Sequence, residues 1–152
     1  MVNAHRISFR VFSYENRGNN KEIILEKLKQ LFPFNPEDEK IAVEVTEAQG
    51  FSENSITIYE INLLKERHIN KFLCNLSKNL DKESKELIIL QAETRLDGNY
   101  NFFLRLDKDE FIKNNSLMIT DSGNCFHIKI NIAAFPKSRQ NALQAVKNIF
   151  DG

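Results

Sequence analysis

Three segments of the chain alternate between apolar and polar residues over most of their length, a period of two that fits strands burying one face. In His5-Arg6-Ile7-Ser8-Phe9-Arg10-Val11-Phe12, Ile7, Phe9 and Val11 share one side and Arg6, Ser8 and Arg10 the other. In Phe126-His127-Ile128-Lys129-Ile130-Asn131-Ile132, the apolar residues oppose His127, Lys129 and Asn131. The third, Phe102-Phe103-Leu104-Arg105-Leu106-Asp107, buries Phe102, Leu104 and Leu106 and turns Arg105 outward, with Phe103 on the parity of Arg105. These strands present cations and amides with few carboxylates. Such a face suits an anionic, planar, hydrogen-bonding partner, and nucleic acid is the first candidate.

A chain of 152 residues fits one domain with a single core, spanning 1–152. No apolar run approaches the ~20 residues that span a bilayer, and no signal-peptide core is evident, which points to a cytoplasmic protein without membrane contact. Cys74 and Cys125 lack metal-ligand spacing and read as two reduced, mostly buried thiols. Net charge is zero, from 21 basic and 21 acidic residues, so bulk charge does not advertise nucleic-acid binding. Its distribution says more. Positions 31–60 hold Lys40 against Glu37, Asp38, Glu39, Glu44, Glu47, Glu53 and Glu60, whereas positions 1–30 and 121–152 carry a cationic excess. A chain polarised in this way can present a local basic surface.

Ile24, Leu25, Leu28, Leu31 and Phe32 recur at helical spacing after Asn19 and Asn20, up to Pro33. Ile41, Val43 and Val45 alternate as a strand broken by Gly50, and Ile56 and Ile58 begin a hairpin-like return to about Leu64. Ile69, Phe72, Leu73, Leu76 and Leu80 mark a second helix, and Asp81 can cap a third through Leu87, Ile88, Leu90 and Gln91. After the strand at Phe102–Leu106, a helical turn starts at Asp107, Leu117–Ile119 and Phe126–Phe135 flank a hairpin turn at Asp121–Asn124, and a last helix packs Leu143, Val146, Ile149 and Phe150. The order β-α-β-β-α-α-β-β-β-α, with short connections, predicts an α+β fold of two layers, a largely antiparallel sheet with helices on one face. The other face stays open to water or a partner.

Four blocks occur in order: His5-Arg6-Ile7-Ser8-Phe9-Arg10; Val45-Thr46-Glu47 with Gly50 and Asn54-Ser55-Ile56; Leu104-Arg105-Leu106-Asp107-Lys108-Asp109-Glu110; and His127-Ile128-Lys129-Ile130 with Phe135-Pro136-Lys137. Together they resemble an archaeal RNA-binding family whose members are described as predicted exosome-associated proteins. Ser55 departs from the proline usual in that family, and Asp109 from its glutamine. The resemblance implies a fold like that of the large-subunit ribosomal protein that grips the small ribosomal RNA. It also implies RNA binding and association with the RNA-processing machinery.

Arg6, Arg10, Arg105, His127 and Lys129 are therefore candidate phosphate contacts, with Ser8 and Asn131 reading hydroxyls or base edges and Phe103 stacking a base. Cross-strand pairing of Arg6 or Arg10 with Asp107 or Glu44 is the competing use of those arginines. Lys137 and Arg139 sit where the last helix begins, a place for an anion, and Ser138 can cap that helix. Asp107 and Glu110 have the spacing of a capping box, which competes with a divalent-metal reading of Asp107 and Asp109. A zinc set of His5, His127 and Cys125 has no recognised spacing, and no catalytic motif or phosphate-binding glycine loop is present. Two functions remain. One is a non-catalytic RNA-binding module without a cofactor, an accessory of RNA processing or degradation reading shape rather than base sequence. The other is a protein-interaction or homodimerisation module using the same open face, with the acidic 37–60 region supplying complementary charge.

Overall fold

The computed structural model describes residues 3–14, 21–49 and 55–151. Five strands, β1 (Ala4–Tyr14), β2 (Val43–Gln49), β3 (Ser55–Leu63), β4 (Asn101–Asp107) and β5 (Cys125–Ile132), form one open antiparallel sheet in the order β2-β3-β1-β5-β4. Six helices accompany it: α1 (Lys21–Gln30), α2 (Glu66–Asn79), α3 (Lys82–Leu90), α4 (Ala92–Arg95), α5 (Lys108–Asn114) and α6 (Arg139–Phe150). The α+β class and the antiparallel sheet agree with the reading of the sequence. The order also makes β5 the neighbour of both β1 and β4, the three strands whose alternation is strictest.

The chain divides into two compact units. One consists of Met1–Ile7, Leu63–Leu104 and Ile128–Gly152. Its helices α2, α3, α4 and α6 pack together, and the expected stripe of Ile69, Phe72, Leu73, Leu76 and Leu80 is buried. Phe102 of β4 meets Phe150 of α6 with ring centroids 6.2 Å apart. Burying side chains of this size stabilises the unit by roughly 1.5–3 kcal/mol each. Two helices start on caps foreseen from sequence: Asp81 accepts from the Ser84 N–H at 2.7 Å, and the Ser138 hydroxyl from the Asn141 N–H at 3.1 Å.

The other unit consists of Ser8–Asn62 and Arg105–His127. Ile24 and Leu28, one helical turn apart, are buried on α1. Phe9 of β1 meets Phe32 at 4.6 Å, and Phe111 of α5 meets Phe126 of β5 at 5.7 Å. Asp107 accepts from the Glu110 N–H at 2.9 Å, so it caps α5 as its spacing suggests.

Three details differ from the sequence reading. Leu117–Ile119 is not a strand of the sheet but a single bridge, Leu106 with Ile119, flanked by bonds from the Asp107 N–H to Met118 O and the Thr120 N–H to Arg105 O. α5 uses the residues before it, leaving too short a run for a ladder. β5 ends at Ile132 rather than Phe135, and Phe135 is exposed. The return strand forms as β3, with Thr57, Tyr59, Ile61 and Leu63 buried and Ile56 and Ile58 half-buried. Cys74 is exposed and only Cys125 is buried, because Cys74 projects away from the stripe that α2 buries. Asn19, Asn20 and Gly50, read as helix and strand punctuation, lie outside the described residues.

Candidate nucleic-acid interface

The unit containing Ser8–Asn62 and Arg105–His127 holds four of the residues singled out above. On β1 the buried residues Phe9, Val11 and Ser13 alternate with Ser8, Arg10, Phe12 and Tyr14, which stay at least partly accessible. Ser8 donates to Asn62 Oδ1 at 2.8 Å. Arg10, with 54% of its side chain exposed, pairs with Glu60 at 3.5 Å. The competing ion pair thus exists, but with a partner on β3 rather than Asp107 or Glu44. Glu60 stands opposite Glu44 in the β2–β3 register, so this edge of the sheet is acidic. Arg105 is exposed and donates to the Asp121 carbonyl at 3.1 Å.

His127 is half-buried. Burial lowers its pKa first, and Arg105, Arg10 and Lys108 lower it further. The imidazole is therefore neutral at pH 7 and marks a locally positive field. Beside it the Cys125 sulfur lies 3.6 Å from Nε2, and burial raises the Cys125 pKa, keeping the thiol protonated. Lys108 is only 1% exposed. Its Nζ donates to the Phe12 carbonyl at 2.6 Å and lies 5.6 Å from the centroid of the Tyr14 ring. The rings of Phe12 and Tyr14 lie 6.2 Å apart at 21°, and Phe12 meets His127 edge-on at 5.8 Å. The sequence reading ended this strand at Phe12, which it assigned to neither face, and so did not reach Tyr14. Their parity with Arg10 was the available signal.

The second unit holds Arg6, Phe103, Lys129, Asn131, Lys137 and Arg139. Arg6 and Lys129 are exposed, and Phe103 is 41% exposed. Asn131 donates to Asn101 Oδ1 at 3.0 Å. Burial raises the Asp97 pKa, but the Asn101 and Asn99 N–H groups, the Asn101 side chain and Lys129 outweigh it and leave it lowered. Lys137 lies 5.1 Å from the Tyr100 ring centroid. Arg139 is held by Glu93 and donates to the carbonyls of Glu93 at 2.6 Å and Leu96 at 3.1 Å, joining the start of α6 to the end of α4. Among the described residues no cluster of His, Cys, Asp and Glu is disposed to hold a metal ion, and no helix is long and apolar enough to cross a membrane.

Comparison with known proteins places these features in context. The sequence model of a family described as "RNA binding" matches residues 6–132. The RNA-binding protein PAB1135 of Pyrococcus abyssi is 28% identical over 151 residues, covering 99% of this chain and 96% of its own. The DUF54 protein Mth689 of Methanothermobacter thermautotrophicus superposes with a TM-score of 0.77 at 25% identity, covering 98% of this chain and 99% of its own. AF2318 of Archaeoglobus fulgidus, also of DUF54, reaches a TM-score of 0.82 at 22% identity, covering 96% of this chain and 99% of its own.

Proposed function

Because the chain belongs to the RNA-binding family matched over residues 6–132, we propose that it is a non-catalytic RNA-binding protein that holds RNA on the outward faces of its strands. The exposed arginines on the outward parity of β1 and β4 in one unit are the observation that carries the reading. Arg10 and Arg105 supply exposed guanidinium groups in one unit, and Arg6, Lys129 and Lys137 supply exposed cations in the other. Cations of this kind hold phosphates, while Ser8, Asn131 and Phe103 offer hydroxyl, amide and ring contacts. Arg139 serves α6 first and reaches RNA only from the position that Glu93 fixes.

The reading extends to a cytoplasmic accessory of RNA processing or degradation, including recruitment by the exosome. An open antiparallel sheet with accompanying helices supports the likeness to the ribosomal protein that grips the small ribosomal RNA. The second reading, self-association or protein contact through the same face, finds its support in the exposed Phe103. A salt titration of labelled structured and single-stranded RNA separates the two. Binding that weakens steeply with salt and is lost in the Arg6→Ala/Arg10→Ala/Lys129→Ala variant supports the RNA grip, since each neutralised phosphate adds to the salt slope. Absence of binding at low salt, or loss of a dimer with RNA retention intact, moves the face to protein contacts.

A further inference from the structure

We infer that Phe12, Tyr14 and His127 form a stacking subsite for an unpaired RNA base, flanked by Arg10 and Arg105 for the adjoining phosphates. This rests on the RNA reading and sharpens it: the ligand is RNA with at least one base out of a helix, not a duplex gripped by its backbone alone.

The three rings lie on the outward parity of β1 and β5 within a single unit, and each is half-buried. That places them where a base can reach them while their flanks stay fixed. Phe12 and Tyr14 are near-parallel at 21°, and His127 stands at 86° to Phe12, so the rings offer a step rather than a closed aromatic core. Lys108 fixes the step from within, bonding the Phe12 carbonyl and lying over the Tyr14 ring. A neutral imidazole adds a ring rather than a fixed charge, leaving the phosphate-binding role to the guanidinium groups. Every base has a π-face, so such a step accepts bases with little sequence preference. The RNA backbone brings the negative charge that Arg10 and Arg105 attract.

The chain has no tryptophan, so Phe12→Trp installs a single reporter at the step. We expect its emission to fall on titration with single-stranded RNA. An abasic oligonucleotide of equal length should bind on the order of tenfold more weakly to the wild-type protein and leave the emission of the Trp variant unchanged. Phe12→Leu, which keeps apolar bulk without a ring, should lose that tenfold preference. If RNA binds but the abasic chain and Phe12→Leu make no difference, the stacking subsite is overturned while the RNA grip stands. If the wild-type protein binds no RNA at low salt, both fall together.

Discussion

His127 carries a consequence for stability as well as for binding. Its folded-state pKa lies below the ordinary value of 6.5, so the unfolded chain takes up the proton first. The stabilising contribution is therefore complete above pH 6.5 and is lost as pH falls below it toward the folded-state value. Urea midpoints measured between about pH 7.5 and about pH 5 should fall more for the wild-type protein than for His127→Gln. Parallel curves would remove His127 from the acid sensitivity. The Asp107 cap has a simpler signature. Removing its carboxylate from the Glu110 N–H in Asp107→Ala should cost about 1 kcal/mol in chemical denaturation, with Asp107→Asn retaining most of it. A metal role for Asp107 would instead make the asparagine variant fail in a metal-dependent assay.

At the scale of elements, alternation was enough to find β1, β4 and β5, because each buries a run of alternate residues and a shift by one residue would expose that run. Helical spacing likewise identified the stripe of α2 and the start of α6. What the sequence left hidden were relations between distant segments. The register pairs Val45 with Tyr59 on one side of the sheet, yet Tyr59 is buried and Val45, on the end strand β2, is exposed, a difference set by strand order rather than by the local run of valine and isoleucine. The same long-range order brings Glu60 to Arg10. That pair makes a prediction of its own. An exposed ion pair is worth about 0–1 kcal/mol, so Glu60→Gln, which releases Arg10 for phosphate, should tighten RNA binding by up to roughly fivefold. Unchanged affinity would show that Arg10 does not touch the RNA. Arg139 was legible as a cation at a helix start, but its hold on Glu93 and Leu96 depends on the packing of α4 beside α6, which no local pattern encodes.

At the scale of the whole molecule, a net charge of zero conceals an uneven distribution that the strand order makes useful. β5 lies between β1 and β4, and these three strands carry Arg105, Lys129, Arg6 and Arg10, while β2 and β3 carry Glu44, Glu47 and Glu60. β2 also ends the sheet, exposed along nearly all its length, with Glu44 and Glu47 on opposite sides of the strand. An end strand whose backbone can pair further is a template for joining copies into aggregates, and carboxylates on both of its sides oppose that growth. Glu44→Val should therefore raise the rate of turbidity development and the fraction of high-mass species in sedimentation velocity, with little change in the unfolding midpoint. Equal rates would show that colloidal protection comes from elsewhere. The carboxylates of β2 would then keep the protein dispersed when its concentration rises.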